Sequence, residues 1–538
     1  MGAPTPVRIN NNFSYHTPLV VRIGFIAGGM SMGRKIPIFY NALLLTGVNL
    51  LLRLVSTSFQ VFISGRIGAA GVGLLQLVLS VASMTMTAGV AGIRTASMYL
   101  TAEELGRGRP GNVTWVLSCC FLYSLLFSGA VGLAVYILAP WIAGIWIGNL
   151  QVVGAVRLFA AFLPVSCFVG IMVGYFTAAN RIATLAAVEV IEQLCAMMIT
   201  AFLLVLWAGE DMGRACQSVV AGSCAGGLLT LSCLVVLRLR EHAVTGPRIP
   251  VAKRLLETAL PLAAADDLKV GINTVENLMV PKRLSLYTDS ALSQFGIVCG
   301  MVFPLMMFPA AILFGLADLL IPEMARCNAG GSRHRIRYLA RRTLRITCIF
   351  GLACSGVIFL CAPALCRRLY SNEDAATYLR WYALLIPMLY CDLVIDAMNK
   401  GLGKQRICVT YNIITAVMDV AGLYILLPVW GMKGYFVSFF ISHFVNALLS
   451  VRLLMKTAGI RIRIWVPVAA LGCMAGALYG AGFVDHSVIC AATYLVLLVT
   501  GLVLLGVLRR EDLRWLLGLV NFQKTEKNRI SLKKVFDK

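Results

Sequence analysis

Fourteen apolar runs of about twenty residues or more follow one another along this chain, joined by short polar connections. The hydrocarbon core of a bilayer is about 30 Å thick and a helix rises about 1.5 Å per residue, so each run can cross it once. In lipid the backbone must satisfy its own N–H and C=O groups, which makes the α-helix the spanning form for runs of this length. The predicted spans lie near 36–64, 71–100, 113–138, 152–179, 183–207, 216–238, 257–281, 291–325, 340–362, 377–399, 407–428, 433–455, 464–483 and 488–508. Only 13% of residues are charged and mean hydropathy is +0.83, so no stretch remains that could make a soluble domain.

The basic residues test this reading. Positive charge collects in cytoplasmic loops because basic segments resist translocation and are drawn to anionic lipid. With these spans, 35 of the 47 Lys and Arg fall on the predicted cytoplasmic side and 8 outside, while Arg53, Arg94, Arg157 and Lys269 lie within spans. The net charge of +23 is therefore a topology signal, and nucleic acid is not an expected partner. The expectation is a multi-pass protein of the inner (plasma) membrane with both termini in the cytoplasm. The 17 cysteines are scattered through apolar runs without a CxxC pair, and the five histidines never fall at ligand spacing. Neither a disulfide framework nor a metal site is expected. Residues 1–35 lack the apolar core and cleavage site of a signal peptide and read as an N-terminal tail, with Met30 or Met32 as an alternative start.

Compared with itself, the chain repeats at one offset. A shift of 223 residues lays Gly73 on Gly296, Gly92 on Gly315, Pro140 on Pro363, Pro164 on Pro387 and Trp207 on Trp430. With only 18 prolines and 8 tryptophans available, such coincidences mark a repeat. The shift also aligns the connection Thr177 to Arg181 with Lys400 to Lys404; before Gly73 it drops to 217. Equivalent points are six spans apart, an even number, so the halves share one orientation about a pseudo-twofold axis along the membrane normal. The expected fold is all-α integral membrane. It has an N-lobe of helices 1–6 (36–240), a basic cytoplasmic connection (241–256), a C-lobe of helices 7–12 (257–456), a terminal helix pair (457–510) and a basic cytoplasmic tail (511–538).

Four segments carry a resemblance through their order and spacing: Ile67 to Gln76, Gly300 to Pro304 with Phe308 and Pro309, Leu319 to Glu323, and Asn399 to Lys404 followed by Trp430 to Gly434. In these the chain resembles the polysaccharide-transporter branch of the multidrug/oligosaccharidyl-lipid/polysaccharide exporter superfamily, most closely the stage V sporulation protein B type, over nearly its whole length from Arg34. The resemblance implies a flippase that carries an undecaprenyl-linked sugar, a polysaccharide or peptidoglycan precursor, from inner to outer leaflet. It also implies alternating access of two lobes around a central cavity, with cell-envelope synthesis enzymes as possible partners and sporulation as the setting. Arg94 departs from the pattern: the family is expected to place a proline there that bends helix 2.

Ionisable groups inside a bilayer are costly and are functional candidates by default. Arg53 lies mid-helix 1, where a guanidinium can grip a lipid pyrophosphate through two parallel hydrogen bonds; the alternative is an ion pair that joins helices. Arg94 on helix 2 is a second candidate cavity cation. Helix 7 carries Asp266, Asp267, Lys269 and Glu276, read either as a substrate-facing polar site or as a self-neutralised cluster at the lobe interface. Pro304 and Pro309 are expected to bend helix 8 as a candidate gate helix. Glu189 with Glu192, and Asp392 with Asp396, share helix faces and could accept Na+ or H+ for coupling, or simply pack within their lobes, as could Asp419.

No phosphate-cradling GxxxxGK[ST] loop is present, and neither a cofactor nor an enzymatic activity is expected. Two other readings stand beside the flippase. A multidrug exporter of the same superfamily should have twelve helices and a less basic interior. A membrane glycosyltransferase or ligase would need a sizeable outer loop, and the longest here runs from about Pro363 to Thr377.

Overall fold

The computed structural model describes residues 38–508 except 91, 210, 241–251, 461–464, 484–486 and 507. The expected tails at 1–35 and 511–538, and most of the connection at 241–256, lie outside these residues. The described chain is helical almost throughout, as a backbone immersed in lipid must be. Its helices are α1 (Ile38–Val90), α2 (Ile93–Gly106), α3 (Pro110–Trp141), α4 (Val153–Ala178), α5 (Ile182–Leu203) and α6 (Met212–Leu239). Then come α7 (Ala252–Leu284), α8 (Ala291–Met307), α9 (Ala311–Ala329), α10 (Arg333–Tyr370), α11 (Glu373–Ala383) and α12 (Ile386–Gly401). The last four are α13 (Gln405–Trp430), α14 (Met432–Ala458), α15 (Trp465–Ala481) and α16 (Ser487–Leu504).

Spans 1 and 2 are joined without a loop. At Gly68 the backbone turns to φ 67° and ψ 178°, a conformation essentially confined to glycine, and divides α1 into arms 38–67 and 69–90. Helix α2 departs from Gly92, left-handed at φ 71°. Span 2 therefore has a break beside Arg94 without the proline, because glycine supplies it. Span 8 is bent by 63° between α8 and α9, with Pro309 in the break, while Pro304 opens the short segment after a π-helical turn at Val298–Val302. A second bend, 55° between α11 and α12 ahead of Pro387, was not foreseen; a proline in the first turn of a helix cannot extend the preceding one.

Helix occupies each expected span, but length and apolarity alone do not reach fourteen. Among the described residues, eight helical runs are long and apolar enough to span, or ten if each bent pair is one span. The first run contains both arms of α1, the charges of α7 exclude it from that count, and α15 and α16 are short.

The 223-residue repeat is written into the backbone. The turn after α2 runs Arg107 N to Glu103 O, Gly108 N to Leu105 O and Arg109 N to Glu104 O; the turn after α9 runs Gly330 N to Arg326 O, Gly331 N to Asn328 O and Ser332 N to Cys327 O. Every atom in the second set is the first shifted by 223. The turns after α4 and α12 correspond in the same way, with Asn180 at φ 58° and Gly403 at φ 77°. Asn149 and Asn372 are equivalent caps, each accepting from a nearby backbone amide. Helix packing repeats too: α4 packs on α2, α3 and α6 and α5 packs on α6, as α12 packs on α9, α10 and α14 and α13 on α14.

The terminal pair belongs to the second half. Helices α15 and α16 pack on each other and α16 on α10, where Tyr494 fills a notch at Gly356 and donates to Leu352 O at 2.7 Å. A methyl at Gly356 would lie 1.9 Å from the Tyr494 ring. Apolar tails solvate apolar helices well, so such close fits, rather than hydrophobicity, hold helices together in a membrane. Replacing Gly356 with leucine should therefore undock α16 and lower the thermal unfolding midpoint in detergent by several degrees. Gly129→Leu, in open space on α3, should leave the midpoint unchanged.

Candidate functional site

The polar residues inside the spans gather at two places. The first is a cavity of about 510 Å³ in the second half, walled by α7, α8, α12, α13 and α14 and reached by Gln76 from the second arm of α1. Helical spacing brings its lining together: Lys269, Asn273, Glu276 and Asn277 form one stripe of α7, Asn412, Thr415 and Asp419 a stripe of α13, and Ser442, His443 and Asn446 a patch of α14. Asp419 is buried and accepts from Ser438 Oγ at 2.6 Å. Asp392 accepts from Asn446 Nδ2 at 2.7 Å through one oxygen, and its other oxygen has no hydrogen-bond partner. Glu276 is near enough to Asp419 for their charges to repel. Asn277 donates to Ser80 Oγ at 3.0 Å and Thr274 to Ser80 O at 3.2 Å, tying α7 to α1.

The second place faces the first half. Arg53, Ser56 and Gln60 make an i, i+3, i+7 stripe along α1. Gln193 on α5 donates to Ser56 Oγ at 3.3 Å, and Gln60 donates to Gly300 O of α8, also at 3.3 Å. The stripe that carries Arg53 therefore looks inward between the halves. Arg94, on α2 beside α4, feels the charge of Glu189 on α5. None of Arg53, Arg94 and Lys269 has a carboxylate within 4 Å among the described residues. Arg53 and Lys269 sit on the first span of each half, at similar distances from its end.

The candidates paired by sequence separate in space. Glu192 accepts from Thr230 Oγ1 of α6 at 2.6 Å, whereas Glu189 looks toward Arg94. Asp396 pairs with Lys400 at 2.6 Å near the end of α12, so of this pair only Asp392 lines the cavity. The side chain of Asp266 lies outside the described residues. Asp267 does not line the cavity, and Lys269 does. The sequence reading passed over Asn273, Asn277, Asn412, His443 and Asn446; their signal was amide and imidazole groups recurring at helical spacing within apolar spans.

The MatE family model matches residues 268–425. Stage V sporulation protein B of Bacillus subtilis (strain 168) is 21% identical over 412 residues, 73% of this chain and 79% of that protein. Among solved structures, "Lipid II flippase MurJ, inward closed conformation" aligns with a TM-score of 0.64 at 11% identity, covering 85% of this chain and 98% of that one. An inward-facing multidrug resistance MATE family transporter of the MOP superfamily aligns at 0.62 and 15% identity, covering 82% and 98%. The chain is thus similar to stage V sporulation protein B and shares the fold of these two solved structures, one of a MOP-superfamily transporter, the superfamily that the motifs resemble.

Neutral donors hold two half-buried carboxylates in place, Asp392 in the cavity and Glu192 between α5 and α6. Asn446→Ala removes a donor from Asp392, and Thr230→Val removes one from Glu192. Leaving a half-buried carboxylate without its donor costs about 1 kcal/mol, the lower end for buried groups, so each variant should lower the unfolding midpoint, and Asn446→Gln should recover part of the loss.

Proposed function

Taking the MOP-superfamily transporter fold as premise, we propose that this chain flips a lipid-linked oligosaccharide or peptidoglycan precursor from the inner to the outer leaflet of the cell membrane by alternating access. The observation that carries this reading is the set of three cations inside the spans, Arg53, Arg94 and Lys269, without carboxylates at ion-pair distance among the described residues. All three side chains are solvent-accessible in the structure, and a cation held within the depth of a membrane span is costly and marks a path or site for an opposite charge. An anionic cargo such as a lipid pyrophosphate would supply that charge, gripped in parallel by the guanidinium of Arg53 and as a point charge by Lys269. The first is on the N-lobe and the second on the C-lobe, so a cargo held by both would couple the movement of the halves. An exporter of cations would be better served by carboxylates at those positions.

The acidic side of the second-half cavity supports a separate role. Asp392, Asp419 and Glu276 sit among amide and hydroxyl oxygens that could accept Na+ or H+, so ion entry there would supply the driving energy. The cytoplasmic placement of both termini follows from the charge bias and belongs to the same proposal.

Purified protein reconstituted in vesicles should move a fluorescent undecaprenyl-pyrophosphate sugar between leaflets. Arg53→Gln and Lys269→Gln should each weaken cargo affinity about tenfold or more while the protein still inserts and folds. Absence of movement under every Na+ and H+ gradient would overturn the flippase reading, and release of a free glycan in the same vesicles would point to an enzyme.

A further inference from the structure

Gly73 on α1 and Gly296 on α8 are equivalent under the 223-residue shift, and they lie against one another. A methyl at Gly73 would sit 2.3 Å from Leu292 O, and a methyl at Gly296 would sit 2.0 Å from Ala69 O and 2.6 Å from Gly73 N. Ala69 and Leu292 likewise stand four residues before the two glycines in the opening turns of their helices, so these two clashes are equivalents of one another across the crossing. The pseudo-twofold axis thus passes between the two glycines, where backbone touches backbone. One turn along α8, a methyl at Gly300 would sit 2.0 Å from Val72 Cγ1, and Gln60 donates to Gly300 O.

The crossing lies at one end of the molecule. Ala69 and Gly73 follow directly on the Gly68 kink, and Leu292 and Gly296 lie in the opening turns of α8. The bias of basic residues assigns this end to the outer face. There, too, Lys282 Nζ at the end of α7 donates to Ile145 O, which follows α3 of the first half. Away from that end, the stripe bearing Arg53 continues down α1 toward the opposite face.

We propose that the Gly73–Gly296 crossing is the mechanical stop of the outer gate: the halves close on that face until the two backbones meet, and any side chain at either position wedges them apart. This rests on the alternating-access reading and adds the place at which one of its two end states is limited. Ordinary contact between a methyl carbon and a carbonyl oxygen needs roughly 1 Å more than either position offers. Spacing of four residues between Ala69 and Gly73, and between Gly296 and Gly300, is the small-residue pattern that lets helix backbones approach in lipid.

Gln151 and Asp374 are exposed, equivalent under the shift, and lie in the outer connections of the two halves, so they suit a pair of fluorophores carried on noncanonical amino acids. Single-molecule energy transfer on the full chain in nanodiscs, without cargo, should show a short-distance state in the wild type. Gly73→Val and Gly296→Val should each move most molecules to a longer distance, to a similar extent because they meet equivalent contacts. Gln60→Ala adds no bulk and should produce a smaller shift in the same direction, which keeps the test open if a valine variant fails to fold. Gly129→Val should match the wild type. Glycine variants that fold and retain the short state, or a shift from one glycine and not from its equivalent, would overturn the proposal. A wild type that never lengthens under any ion gradient would instead count against alternating access, leaving the stop to be judged by the valine variants.

Discussion

A bilayer interior offers no water to a backbone amide or to a charge, and this one constraint organises the molecule. It forces the chain into helices, forbids lipid-facing loops, and makes every polar group within a span either pair with another or face a protected space. It also removes the usual drive for helices to associate, because lipid tails are as apolar as leucine. Cohesion then depends on fit: the Tyr494 ring in its notch at Gly356, and the methyl-free approach of α1 to α8. The first of these seats the terminal pair on α10 of the second half.

The internal repeat gives the two halves one backbone frame. Turns at 103–109 and 326–332 have the same hydrogen bonds, atom for atom, although their sequences share little more than a glycine. The polar interior is not duplicated. The first half offers arginines and the second a cavity with Glu276, Asp392 and Asp419, so the halves have kept one frame while dividing the chemistry. Arg53 and Lys269 are the exception, cations on the first span of each half.

Much of this was legible in the sequence, for identifiable reasons. Apolar runs and basic loops located the spans because lipid imposes both directly. Rare residues exposed the repeat because proline and tryptophan coincide seldom by chance. The bend at Pro309 could be read from a missing backbone donor. The 55° bend before Pro387 carried the same signal but lay in a run too apolar to suggest a break. Helical spacing put Glu189 on one face with Glu192, yet a face is wide: the two carboxylates meet different neighbours, Arg94 and Thr230. The cavity amides escaped notice because asparagine carries no charge, and only three-dimensional convergence distinguishes Asn273 or Asn446 from an ordinary polar residue. That Gly73 meets its own equivalent required the axis itself, which no linear pattern locates.

The central claim is that the cations within the spans exist to hold an anionic, lipid-linked cargo. Mass spectrometry of the lipids that co-purify with the native protein tests it most directly. The account predicts a prenyl-pyrophosphate-linked sugar enriched over its membrane abundance, and depleted from an Arg53→Gln, Lys269→Gln double variant that remains folded. Recovery of bulk phospholipids alone, in membrane proportions and unchanged in the double variant, would contradict it.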